Sequence, residues 1–117
     1  MKENIIKDKS FNFAIRVVNL YKFLREEKNE FIMSKQLMRS GTSVGANVSE
    51  ADRAVSRKDF SNKSGIALKE ANESDYWIEL LHKTNYLDDK QYQSLKAAII
   101  EIIKILVAIV KKSSAQN

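Results

Sequence analysis

The sequence contains no cysteine and no proline, and among its 117 residues there are only three glycines, one tryptophan and one histidine. The absence of cysteine removes disulfides, thiolate metal sites and cysteine nucleophiles, and it suits a reducing compartment such as the cytoplasm. With no proline, and with every glycine confined to Gly41–Gly65, the punctuation that sheets and tight hairpins need is missing. An all-α chain of one domain is therefore expected. The first thirteen residues lack the apolar core of a secretory signal. The longest apolar run, Ala97 to Val110, is interrupted by Glu101 and Lys104 and is too short to span a bilayer, so no membrane partner is expected. Glu79 and His82 make one Glu-x-x-His spacing, whereas a di-iron bundle needs two and further glutamates. No phosphate-cradling glycine loop and no Ser-His-Asp set is present. The expectation is no metal, no cofactor and no catalytic residue.

What the sequence does contain is charge and helical periodicity. Twenty basic residues oppose fifteen acidic ones, for a formal net charge of +5 and an isoelectric point near 9.4. The excess is +3 in residues 1–28 and +2 in residues 86–117, while the stretches 29–55 and 56–85 balance to zero. A basic surface attracts phosphate, and a solvated lysine-rich surface is the bland reading of the same numbers.

Four amphipathic segments follow from the spacing. The first, about residues 10–28, opens with Ser10 as a cap and places Phe13, Val17, Leu20 and Leu24 on one face. Phe23 falls among the polar residues opposite, as an incidental aromatic or a contact with another chain. The second segment, about 34–55, has the stripe Leu37, Gly41, Val44, Val48, Ala51 and Val55. Beside it lie small or polar residues, Gln36, Ser40, Ser43, Asn47, Glu50 and Ala54. Two glycines and several hydroxyls make this a poor helix in isolation, so packing must hold it, and its small side chains admit a neighbouring backbone. The third segment, about 57–85, opens at Ser56 with Asp59 and carries Phe60, Ser64, Ala67, Ala71, Ser74, Ile78 and Leu81 at heptad spacing. The fourth, about 88–112, opens at Asp88 with Gln91 and carries Leu95, Ile99, Ile102, Leu106 and Val110. Ala98 and Ile105 widen that stripe on one side, Ile100 and Val107 on the other. So broad an apolar arc calls for a further partner, most simply a second copy of the chain. Short connections between long segments predict an antiparallel up-and-down four-helix bundle, with both termini frayed.

Two constellations carry chemistry. Ser43, Asn47, Glu50, Glu70 and Glu73 face each other across the second and third segments. Paired carboxylates can perform acid–base work, but a polar layer that sets helix register, with Arg39 among its donors, is the commoner use. Arg16, Lys22 and Arg25 on the first segment, with Lys35, Arg39, Arg53, Arg57 and Lys58 on and after the second, are candidate phosphate contacts, diluted by Asp52 and Asp59.

The run from Arg39 to Glu50, RSGTSVGANVSE, resembles the R-x-x-x-S-[IV]-x-x-N-[IV]-x-E signature of the bacterial four-helix bundle proteins, also called 23S rRNA intervening-sequence or S23 proteins. Ser56 to Phe60 resembles the family's S-x-K-[DE]-F turn. Ile66 to Glu73, with Trp77 and then Tyr86-Leu87, is similar to a further family stretch, and Ala14 to Leu24 fits the first helix. Ala71 departs from the family's usual serine, and Ala51 from the glycine that often follows the glutamate. The resemblance implies a left-handed up-down-up-down bundle assembling as a homopentameric ring. It supplies no enzyme activity. It points to genes lying within insertions of 23S rRNA genes, and to a subgroup that serves diversity-generating retroelements, where nucleic acid and a reverse transcriptase are the partners.

Three functional readings follow. The first is a non-enzymatic oligomer binding RNA or DNA through basic residues repeated around a ring. The second is a scaffold or accessory subunit that binds a protein partner without touching nucleic acid. The third, ranked last, is a hydrolase using Glu50, Glu70 and Glu73.

Overall fold

The computed structural model describes the backbone of residues 2–115 and the side chains of residues 5–114. Four helices follow one another: α1 (Lys2–Lys28), α2 (Met33–Asp52), α3 (Arg57–Lys83) and α4 (Asp89–Ala115). No strand occurs among the described residues. The molecule measures 46 × 20 × 19 Å, which suits 27-residue helices of about 40 Å laid side by side. Consecutive helices pack against each other, α1 and α4 close the bundle along a thinner seam, and among the described residues the backbones of diagonal helices stay more than 8 Å apart between Cα atoms.

One buried row from each helix builds the core. Helix α1 contributes Ile6, Phe13, Val17, Leu20 and Leu24, and α4 contributes Leu95, Ile99, Ile102, Leu106 and Ile109. On α3 the heptad holds as expected: Ser64, Ala67, Ala71, Ser74, Ile78 and Leu81 are all buried. Its thin half faces the small-residue half of α2. There Ser40 and Ser74 meet through their hydroxyls at 2.9 Å, and Ser74 also donates to the Glu70 carbonyl at 2.9 Å. Both buried hydroxyls are thereby satisfied.

The glycines of α2 serve α1. A Cβ on Gly41 would stand 2.8 Å from Val17 Cγ2, and one on Gly45 would stand 3.2 Å from the Ser10 carbonyl oxygen. At Gly41 a Cβ would require Val17 to shift, and at Gly45 it would press on the α1 backbone more tightly than most Cβ contacts do.

The helix ends depart clearly from the expected boundaries in three places. Helix α1 extends well upstream of Ser10, because Ile6 continues the buried row. Ser10 is fully buried, and its hydroxyl returns to the Lys7 carbonyl at 3.2 Å instead of capping an end. The expected fraying is therefore absent at Ile5 and Ile6, while Met1 lies outside the described residues. Helix α2 stops at Asp52, not Val55, since Ser56 must adopt an extended backbone (φ −153°, ψ 165°) to accept the Asp59 amide at 3.0 Å and cap α3. That exit leaves Val55 94% exposed, off the core stripe. Helix α4 runs on to Ala115, with Ser113 buried against Ser61 at 3.3 Å, and its core row ends at Ile109 instead of Val110. Gln116 and Asn117 lie outside the described residues.

The connections use ordinary capping chemistry. Asn29 and Asn85 adopt positive φ (53° and 69°) after α1 and α3, the left-handed conformation that terminates helices. Asp88 and Gln91 exchange side-chain and backbone hydrogen bonds of 2.7 and 3.0 Å at the start of α4, a reciprocal capping box.

Candidate nucleic-acid interface

The polar face of α2 resolves into separate contacts. Arg39 reaches across to α3 and binds both Glu70, at 3.1 Å, and Glu73. Trp77 Nε1 donates to the same Glu73 carboxylate at 3.0 Å. The Arg39 guanidinium, with help from Trp77, holds the Glu73 carboxyl below the usual carboxylate range. Glu50 stands apart, paired with Lys63 at 2.8 Å. Ser43 and Asn47 do not bridge to the glutamates. They donate to carbonyls one turn back on their own helix, of Arg39 at 2.7 Å and Ser43 at 2.9 Å, because those acceptors lie within reach without ordering a partner helix. The three glutamates consequently form no shared acid–base site.

The eight candidate phosphate contacts divide among four places. Arg39 is committed to the α2–α3 seam, and Arg16 donates to Ser94 on α4 at 2.7 Å. Lys22, Arg25 and Lys35 lie towards the end of the bundle that carries the α1–α2 connection. Arg53, Arg57 and Lys58 lie at the opposite end, on the α2–α3 turn. The structure adds Lys111 and Lys112 to that second pole, because α4 ends there with Ser113 packed on Ser61, one turn beyond Arg57 and Lys58. These two lysines were missed on the sequence, although the +2 excess of residues 86–117 pointed towards them.

Two of the acids near the α2–α3 pole are occupied, while Asp59 forms no ion pair among the described residues. Asp52 pairs with Lys7 at 3.1 Å and Glu50 with Lys63. Among the described residues, Arg53, Arg57, Lys58, Lys111 and Lys112 form no ion pair, and all five are exposed. An end that carries five cations without partners is an electrostatic footprint for phosphate.

The residues expected at an oligomer interface are placed differently. Phe23, Ala98, Ile100 and Ile105 are half-buried and pack against the chain's own core. A helix in a four-helix bundle has two neighbours, so part of a wide arc is absorbed at its two seams. Val107 remains 43% exposed. The larger uncovered apolar surface lies on α1, where Phe11 is 65% exposed and Ile15 is exposed beside it one turn on. Phe11 borders a groove with Gly45 and Ser49 of α2.

The histidine sits in a second polar cluster on α3 and α4. His82 stacks on Tyr92, with ring centroids 3.9 Å apart, and its Nε2 lies 2.8 Å from Asp89. Tyr92 donates to Glu79 at 2.5 Å, and Lys96 bridges Glu79 and Asp75 at 3.0 and 2.6 Å. Among the described residues no group of three or more His, Asp and Glu side chains converges as metal ligands would.

Residues 2–108 match the family described as 23S rRNA-intervening sequence protein. This chain belongs to that family. No curated protein matches this chain. A crystal structure of a protein of unknown function from the S23 ribosomal protein family of Bacteroides thetaiotaomicron is 58% identical to it. That similarity covers 95% of this chain and 99% of the other, with a TM-score of 0.93. In this chain the signature arginine, Arg39, ties α2 to α3, and the signature Glu50 pairs with Lys63. The signature thus holds helices together.

Proposed function

We propose that this protein is a non-enzymatic, cytoplasmic homo-oligomer that binds RNA or DNA through its α2–α3 pole. The observation that carries the reading is the set of five exposed cations there, Arg53, Arg57, Lys58, Lys111 and Lys112, with Asp52 and Glu50 engaged elsewhere and Asp59 the one remaining acid on the turn. The contact is with phosphate, so it is independent of sequence and steep in salt. Five phosphate contacts per chain would weaken binding roughly 10²–10³-fold between about 50 and 200 mM salt.

Oligomerisation is supported by two unlike apolar surfaces, Phe11 with Ile15 on α1 and Val107 on α4. Unlike surfaces favour head-to-tail contact, which closes into a ring when the rotation allows. A pentameric ring, as the family resemblance implies, would present the basic pole five times and raise avidity without any new contact.

The test is a titration of the assembled protein with structured RNA and duplex DNA at two salt concentrations. Wild type is expected to bind at low salt and to weaken steeply as salt rises. Reversal of Arg53, Arg57 and Lys58 to glutamate should abolish binding, whereas Arg39→Ala should leave it unchanged. Negligible affinity at low salt overturns the reading. The scaffold reading draws its support from the same exposed Phe11, and capture of a protein partner by the charge-reversed variant would favour it.

A further inference from the structure

The opposite pole has a different chemistry. The α1–α2 connection leaves Phe31 48% exposed and Ile32 77% exposed. Arg25 lies over two aromatic rings, 5.0 Å from the centroid of Phe31 and 5.2 Å from that of Tyr21. Lys28 lies 5.9 Å over Phe23 on the neighbouring turn. Lys22, Arg25, Lys28 and Lys35 form no ion pair among the described residues. Of the nearby acids, Glu30 is turned inward onto the first amides of α2, while Asp88 and Asp89, which share a pocket with Lys28 and Phe23, respectively accept from the Gln91 amide and lie against His82. Glu26 and Glu27 follow Arg25 at steps of roughly 100° around the α1 axis, away from the aromatic stack. An exposed ring among free cations, here Phe31 with Tyr21 and Phe23 half-buried nearby, is a pattern that recognises single strands: a base stacks on the ring while the cations track the phosphates. The α2–α3 pole, by contrast, exposes cations and no aromatic ring.

We propose that the α1–α2 pole is a stacking site for unpaired nucleobases, with Phe31 as the platform and Arg25 as the cation that fixes it. The inference rests on the reading that the protein binds nucleic acid, and it adds a second contact of different selectivity at the far end of a molecule 46 Å long. Phe31 orients against Arg25, the base stacks on the exposed ring, and Lys22, Lys28 and Lys35 meet the flanking phosphates. One bundle then addresses paired nucleic acid at one end and unpaired nucleic acid at the other, which suits structured RNA with loops or junctions.

The experiment compares three fluorescent ligands on the full chain: a 20-nucleotide deoxythymidine strand, an abasic strand of equal length and charge, and a 20-base-pair duplex. Wild type is expected to bind the thymidine strand about tenfold tighter than the abasic one. Phe31→Ala should remove that preference, Phe31→Trp should keep it, and neither should change duplex affinity. Because Phe31 lies outside the buried core, thermal unfolding of both variants should match wild type. If wild type does not distinguish thymidine from abasic strands, or Phe31→Ala retains the distinction, the inference is overturned while duplex binding through Arg53, Arg57 and Lys58 still stands. If no ligand binds, both this inference and the functional reading fail together. If Phe31→Ala instead loses a co-purifying protein with base preference intact, the pole is a protein contact and the inference is likewise overturned.

Discussion

Glu30 shows how one side chain can organise a junction that the pattern of apolar residues does not reveal. It sits in the four-residue connection between α1 and α2 and is almost wholly buried. Its carboxylate accepts the amides of Ile32 and Met33, both at 3.0 Å, and of Ser34 at 2.6 Å. These are the orphan donors of the first turn of α2, which has no cap from the side chain of Ile32. Burial alone would push the carboxyl up, but the hydrogen bonds outweigh it and leave the group below its ordinary value of 4.5. A carboxylate with a depressed value stabilises the fold fully above its unfolded value, and that contribution is lost as pH falls through the folded one. Replacement of Glu30 by alanine should cost about 1–2 kcal/mol in urea unfolding at pH 7. Glu30→Gln keeps an acceptor and should cost less. Its deficit against wild type should shrink towards zero as pH is lowered below 4.5, and a deficit constant from pH 7 to pH 3 would contradict the assignment.

Among the helices, α2 is the element whose composition most needs explaining. Glycine in a helix costs about 1 kcal/mol relative to alanine, and α2 contains two. The close approach of α1 accounts for both, since Gly41 meets the branched side chain of Val17 and Gly45 meets the backbone at Ser10. Val17 is rigid about χ1, so a methyl at position 41 cannot be accommodated by a side-chain shift. Gly41→Ala should therefore destabilise the protein by about 1–3 kcal/mol despite its better helix propensity. Val17→Ala leaves a small cavity on its own, but it should partly rescue Gly41→Ala. A double-mutant cycle should read a favourable coupling of roughly 1 kcal/mol or more. Additive effects would show that the two helices can move apart and that the glycines have another role.

For the molecule as a whole, the distribution of charge and exposed apolar surface matters more than any single contact. Salt bridges such as Lys7–Asp52 and Lys9–Glu101 are exposed and contribute little to stability. Their consequence is to occupy acids on the flanks and leave the α2–α3 pole cationic. On the proposed reading, the apolar surface of α1 is the contact between copies. Light scattering on wild type should report about five times the 13.4 kDa chain mass. Phe11→Asp, which touches no core residue, should reduce that mass while leaving the helical signal intact. An unchanged assembly would move the interface away from α1. Because avidity multiplies weak contacts, the same variant should also weaken nucleic-acid binding at moderate salt.

The periodicity of apolar residues was enough to determine four helices and most of the core, since burial of a stripe is a local property that every turn repeats. The heptad Ser64 to Leu81 and the caps at Ser56 and Asp88 could be read directly, and the signature from Arg39 to Glu50 identified the family. Pattern did not reveal residues whose roles depend on what a neighbouring element brings. Ser10 looked like a cap and is core, because Ile6 lies buried one turn upstream. Val55 looked like core and is exposed, because Ser56 needs an extended backbone. Glu50, Glu70 and Glu73 shared a face on paper, yet Arg39 takes two of them and Lys63 the third. Lys111 and Lys112 are distant in sequence from Arg53, Arg57 and Lys58, and only antiparallel packing sets them at one pole. Spacing along one helix fixes which residues share a face. Which charges find partners, and which remain free to bind phosphate, depends on distances between helices that spacing does not contain.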